Sequence, residues 1–310
     1  MRKLGFLFLL VGVACSSGEK KNQPTDTPTS GVLSVLVDAA YQPIIDSEIQ
    51  AFEVQYPYAS VRAQYKNEVE AWKEFVNDSA KVIISSRKPS AQEEKYLRSI
   101  KVVTRVTPLA YDALAFLLHP SVTDTCLTYD EIRQIITGEI TDWKEIATGK
   151  KSGKIQLVMD NAAGSSARNL KELFLGNKNF PTTITATENY QKVIDWVSEH
   201  PNSMGVIPVS WVCDPDDPKM ISFLSKIKVA EIAATEVSRD RGEGYQPFQA
   251  YLAQKKYPFT REVFAISRQS YAGLALGFNA YLAGPKGQLI FLKSGLLPAT
   301  QPIRIQSIKQ

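Results

Sequence analysis

The sequence predicts an α/β fold with mainly parallel sheets, and three observations predict it. Short extended runs alternate with helical patterns along the whole chain. Several of those runs end in loops of small or hydroxyl residues that open directly into a helix. The length, 310 residues, is enough for one large or two medium lobes with real cores.

Residues 1–14 are set aside before the fold begins. Arg2 and Lys3 precede the apolar run LGFLFLLVGVA, and Gly12 and Ala14 stand just before Cys15. The run is shorter than the roughly 20 residues a spanning helix needs. It reads as a bacterial lipoprotein signal peptide with Cys15 lipidated, an ordinary secretory signal being the alternative. Residues 15–31, which continue as SSGEKKNQPTDTPTSG after the cysteine, are expected to form a disordered tether. Such a mixture buries too little apolar surface to offset its ordering entropy.

The elements then follow in order. VLSVLV alternates as a strand, the pattern breaks between Asp38 and Gln42, and Pro43 opens a helix with Ile45, Ile49 and Phe52 on one face. VRAQYK is the next strand and VEAWKEFVN a short helix. KVIISS is a strand whose following helix is announced by Ser90 and Glu93 in capping-box spacing. VVTRVTPLAYDALAFLLHP is a continuously apolar extended run, which suits a strand buried on both faces or passing between lobes. Thr128 and Glu131 form a second capping box, Ile132, Ile135 and Ile136 its apolar stripe, and Gly138 its stop. IQLVM is a strand, with a helix after it marked by Leu170, Leu173 and Phe174 and ended by Gly176. A helix carrying Val193, Ile194 and Val197 precedes the strand MGVIPV. REVFAIS is a late strand, and the last helical stretch is interrupted at Gly284 and Pro285.

Composition excludes several classes of function. The formal net charge is +4, with Arg2 and Lys3 contributing to it, and no basic block with interleaved aromatics appears, so nucleic acid is not a partner. His119 and His200 are each followed by proline and read as loop residues. Cys126 and Cys213 stand in no metal-ligand spacing; they either pair or remain two separate thiols. No metal or other cofactor is expected. A serine hydrolase would use Ser165 or Ser166, but AGSSA lacks the glycines of a nucleophile elbow. Ser85 with Lys88, and Ser225 with Lys228, lack the companion motifs of a serine–lysine enzyme.

The chemistry falls instead on three loops: DAAYQP (38–43), SSRKPS (85–90) and DNAAGSSAR (160–168). In parallel α/β sheets, ligands collect at the carboxyl ends of strands, where loops enter helices. The unpaired N–H groups and positive dipole end of a helix's first turn hold an oxyanion there. Serine at such a place also caps the helix by itself, which is the plain alternative for each loop alone.

The order of these motifs resembles the phosphate ABC transporter substrate-binding proteins, of the periplasmic binding protein type II superfamily. LTYDEIRQIITGEITDWKEI carries most of the resemblance, with SSR, GSS, MGVIP, YPFTREVFAIS and GQLIFLKSGLLP in support, over about Val32 to Pro298. The resemblance implies a two-lobed fold, with 32–112 and 263–310 as lobe I and 113–262 as lobe II. It implies an anion held between the lobes by the backbone of Ala39, Ala40 and Tyr41, by Ser85 and Ser86, and by Gly164, Ser165 and Ser166. Arg87 stands where well-known members carry an acceptor aspartate, and Asp160 where they carry an arginine. Arg168 is expected to supply the missing charge, and discrimination by an acceptor carboxylate is not expected. The implied ligand is an oxyanion, phosphate first, with sulfate, a metal oxyanion or an organic phosphate as others. An ABC permease partner, a monomer and a periplasm-facing lipid anchor complete the expectation. Reuse of the binding lobe for sensing or protein interaction is the competing reading.

Overall fold

The computed structural model describes residues 26–146, 152–181 and 184–300; the expected signal peptide and Cys15 lie outside the described residues. The chain opens with β1 (Ser30–Asp38), α1 (Gln42–Gln55), β2 (Tyr58–Lys66), α2 (Glu68–Val76), β3 (Val82–Ser85) and α3 (Ala91–Ser99). The Ser90–Glu93 capping box is formed in full at the start of α3. β4 (Arg105–Leu118) follows, then β5 (Cys126–Thr128) and α4 (Tyr129–Thr137), which the Thr128–Glu131 capping box starts and a left-handed Gly138 ends. Next come β6 (Gln156–Met159), α5 (Ser165–Leu170), β7 (Ile184–Ala186), α6 (Tyr190–Glu199) and β8 (Ser203–Pro208). A stretch of smaller elements holds α7 (Pro218–Leu224), β9 (Lys228–Val229), β10 (Glu231–Ala233), α8 (Glu236–Asp240), β11 (Gly244–Tyr245) and α9 (Gln249–Ala253). The chain closes with β12 (Thr260–Ser267), α10 (Leu274–Ala283), α11 (Pro285–Lys293) and β13 (Leu297–Pro298).

The main sheet runs β2-β1-β3-β12-β4-β8-β6-β7, with β9 and β13 also pairing to β4; a small sheet, β11-β10-β5, lies apart. β4 is the crossing strand. It pairs with β12 from Arg105 to Ala113 and with β8 from Leu114 to Leu118, so one strand belongs to two halves of the sheet. Its second portion is buried throughout, as its unbroken apolar sequence requires.

Each half carries parallel strands at its outer side, β1 with β2 and β3, and β6 with β7 and β8. The centre differs from the expectation: β12 is antiparallel to both β3 and β4, and β4 is antiparallel to β8. β12 is reached only after the chain has built the second half and returned, and β4 and β12 thus cross between the halves in opposite directions.

In β1, Val35 and Val37 face the main core with Ile45, Phe52 and Phe278, while Leu36 faces a smaller cluster with Trp72 and Phe75. Burial on both faces explains why this strand is apolar at successive positions.

Two further expectations are corrected and one open question is answered. The helix after IQLVM is broken: α5 stops at Leu170 and a π-helical turn spans Lys171–Leu175. That wider turn rotates Leu173 outward, leaving it 44% exposed. The tether does not run to residue 31. Asp26 accepts the Leu274 N–H at 2.6 Å and the Tyr271 hydroxyl at 2.6 Å, which straps the N-terminal segment to the start of α10. Gly277 is required beneath this strap, because a Cβ there would run into the Pro28 carbonyl. Cys126 and Cys213 are both free thiols, so the open question of their pairing is answered in the negative.

Candidate functional site

Three strand-to-helix junctions meet between the two halves of the sheet. The first begins at Asp38, the last residue of β1. Its Oδ1 accepts the Ala40 N–H at 3.1 Å and caps a single tight turn, Ala39–Tyr41, that leads into α1. Of the three main-chain donors expected here, the Ala40 N–H is therefore taken within the protein. Ala40 and Tyr41 are fully buried, and the Ala40 carbonyl accepts the Ser210 hydroxyl at 2.6 Å. Ser210 lies in the turn after β8, so this contact ties the first junction to the other half.

The second junction follows β3. Ser85 Oγ accepts the Trp72 indole N–H at 2.9 Å and donates to Glu68 Oε2 at 3.3 Å. Ser86 Oγ donates to the same oxygen at 3.0 Å and accepts Arg168 Nη2 at 2.8 Å. Both expected serines thus turn toward Glu68. Arg87 lies 4.1 Å over the Trp72 ring and makes paired hydrogen bonds to Glu93 at 2.7 and 2.9 Å. Its planar fork and flat face are both in use, bracing the loop against α2 and α3.

The third junction is the start of α5. Gly164 is its N-cap and supplies no side-chain bond to the first turn. Any Cβ at Gly164 would stand 2.8 Å from Asp160 Oδ2, which explains glycine at that place. Ser165 and Ser166 are fully buried, and Ser166 Oγ lies 3.5 Å from the Tyr190 hydroxyl. Arg168 does not turn to the cluster's centre: it bonds Glu68 from Nε and Nη2, and Glu172 from Nη1 at 2.7 Å. Burial opposes its charge, but Glu68 and Glu172 together outweigh that and raise its pKa. The Arg168–Glu68 pair, with Ser86, forms a latch between the halves.

The buried cation of the site is Arg261 in β12, which the loop-based reading did not select. Its Nε donates to Asp112 Oδ2 at 2.8 Å and its Nη1 to Ser165 Oγ at 3.1 Å. Its guanidinium also lies 5.6 Å from the centre of the Tyr41 ring. One signal could have found it. Asp112 is the single charge in the apolar run LAYDALAFLL of β4, and a charge buried in a strand comes paired with one of opposite sign.

Electrostatics set this cluster apart from an ordinary ion pair. Burial, with Glu68 adding to it and Arg261 opposing it, pushes Asp38 up to about 7. Asp160 is pushed up to about 6 by burial, against backbone and Tyr190 hydrogen bonds. Asp112 is also raised by burial, though Arg261 holds it down. Among the described residues, Asp38 Oδ2, Tyr41 Oη, Asp112 Oδ1, Asp160 Oδ1 and Arg261 Nη2 are buried without a hydrogen-bond partner. Nη2 is 2.7 Å from Asp112 Oδ2 but out of line for a hydrogen bond. Buried polar atoms in folded proteins are nearly always satisfied, so five together at one place mark a site built to engage something. The carboxyls also correct one expectation. Arg87 does stand where an aspartate was looked for, but acceptor carboxyls reach the cluster from β1, β4 and the loop after β6. No group of three or more His, Cys, Asp or Glu among the described residues could hold a metal ion.

A guanidinium, buried hydroxyls and a helix start, enclosed between two sheet halves, define a small-ligand binding protein. A family model described as the PBP superfamily domain matches residues 22–286, and the chain belongs to that superfamily. Among its relatives is the phosphate-binding protein PstS of Bacillus subtilis (strain 168), 24% identical over 301 residues, covering 94% of this chain and 91% of the relative. The phosphate-binding protein PstS of Borreliella burgdorferi is 24% identical over 230 residues, covering 71% of this chain and 73% of the relative. A Clostridium perfringens protein solved with bound phosphate superposes with a TM-score of 0.72 at 19% identity, covering 87% of this chain and all of the other. The fold is accordingly the two-lobed periplasmic binding protein fold.

Proposed function

We propose that this chain is an extracytoplasmic solute-binding protein that captures an oxyanion, inorganic phosphate first, between its lobes and delivers it to an ABC importer. The observation that carries this reading is the buried Arg261, bonded to Ser165 at the mouth of α5 in the space where all three junctions converge. The relatives designated phosphate-binding protein support the choice of phosphate. Arg261, Ser165, Ser166 and the Gly164 turn would hold ligand oxygens, with Ala39 and Tyr41 closing the site from lobe I. Ser85, Ser86, Arg87 and Arg168 would act around it, holding Glu68 and the closed arrangement.

The division into lobe I (32–112 and 263–310) and lobe II (113–262) belongs to the same proposal. The hand-over of β4 from β12 to β8 at Ala113–Leu114 supports its first boundary. Lipidation at Cys15 would anchor the protein at the membrane facing the periplasm, where it would act as a monomer. No catalytic step is proposed. His119 bonds Ser121 in a loop after β4, and His200 stacks on Trp196 at the end of α6.

Titration calorimetry of the purified protein with phosphate, sulfate and molybdate tests the reading. Phosphate is expected to bind at least about tenfold more tightly than either, a difference of about 1.4 kcal/mol. Silence toward all three would exclude an oxyanion site in the cleft.

A further inference from the structure

The charges around Arg261 do not leave room for an anion unless one of them is removed. Asp112 already neutralises the guanidinium. Asp38 and Asp160 stand in the same buried cluster, each with one oxygen lacking a partner. The other groups facing Asp38 do not compensate it. Glu68, on α2, is negative and is held by Arg168 and Arg87. Lys66, opposite Asp38 in the β1–β2 ladder, is bonded to Glu74. Tyr41 and Tyr190 present neutral hydroxyls, since burial holds both well above their usual range. An oxyanion beside two ionised carboxylates in this enclosed space would meet repulsion far stronger than in water. A carboxyl group can shed its charge by taking a proton, and burial already favours that form.

The geometry points to a cleft that takes up a proton from solvent together with its anion, Asp38 being the acid that receives it and Asp160 supporting it. In that state Asp38 Oδ1 keeps the Ala40 N–H, and the protonated Oδ2 becomes a donor to a ligand oxygen. When Asp38 is ionised, Oδ2 can only accept, so the anion must bring its own proton. Hydrogen phosphate has one to offer and sulfate has none. Burial places Asp38 at about 7 and Asp160 at about 6, so this exchange falls within an ordinary range of pH. A ligand that depends on one solvent proton loses about tenfold in affinity per unit of pH above the carboxyl's pKa.

The inference rests on the cleft's being an anion site, and the experiment separates the two. Calorimetry with inorganic phosphate at about pH 6 tests the anion site alone. Repeating it in buffers of different ionisation heat, from about pH 6 to about pH 8.5, counts protons exchanged on binding. The wild type is expected to take up more protons than Asp38→Asn, and sulfate competition is expected near pH 6 and lost near pH 8.5 only in the wild type. Equal proton counts in both proteins, with phosphate still bound, would overturn the inference and leave the site standing. A second measurement needs no variant: carboxyl carbon NMR of the wild type should show the Asp38 pKa rising when phosphate is added. An unchanged Asp38 titration in the phosphate-bound protein would overturn it equally.

Discussion

Arg261 and Asp112 lie on neighbouring strands that are remote in sequence, and the side chain of each is at most 2% exposed. Removing one partner of such a pair leaves an uncompensated buried charge, worth about 3–5 kcal/mol. Arg261→Leu is therefore expected to lower the unfolding free energy in urea by that amount and to abolish phosphate binding. Arg261→Leu combined with Asp112→Leu should recover most of the stability while binding stays absent; normal affinity in the double variant would place the ligand elsewhere. A different buried acid, Glu48 on α1, has both carboxyl oxygens unpartnered, and burial pushes it up to about 9. Its proton is held more tightly in the folded protein than in the unfolded chain. The stability it allows is thus complete below the ordinary carboxyl range and falls as pH rises toward about 9. The loss is at most about 1.4 kcal/mol per pH unit. Glu48→Gln should match the wild type near pH 5 and exceed it by a few kcal/mol near pH 8.5 in urea unfolding. A constant difference across that range would show that Glu48 does not titrate as its burial demands.

At the scale of elements, what could be read from sequence was what is local. The capping boxes at Ser90 and Thr128 formed because a hydroxyl and a carboxylate three residues apart satisfy each other's backbone without help from elsewhere. The three junction loops were legible for the same reason: small residues between a strand and a helix mark a close turn. The roles within them were less legible. Ser85, Ser86, Arg87 and Arg168 looked like ligand groups, yet Glu68 on α2 collects them. Nothing in EVEAWKEFV marks its first glutamate as buried, because its burial depends on α5 arriving from the other lobe. Arg261 was hidden likewise, since its partners Asp112 and Ser165 are 149 and 96 residues away. The π-helical turn after α5 also carries no local signal in KELFL.

For the molecule as a whole, the contacts between the two halves are the place to look for what holds the lobes together. Glu68 and Ser86 belong to the first half and Arg168 to the second, and Ser210 reaching Ala40 adds a second tie. Arg168→Ala removes the stronger tie without touching Arg261 or Ser165. It is expected to speed phosphate release about tenfold, equivalent to about 1.4 kcal/mol, read by stopped-flow tryptophan fluorescence. An unchanged release rate would mean that closure is held by the buried cluster alone. The two-lobed architecture itself was legible from motif order, whereas the antiparallel crossing of β4 and β12 was not, because pairing direction depends on the route between strands. The Asp26 strap adds a mechanical consequence. It binds the segment just after β12, at the sheet end opposite Asp38 and Ser85. Traction applied to the chain ahead of Asp26 would therefore load the base of the first lobe, leaving the second free to swing about its crossing strands.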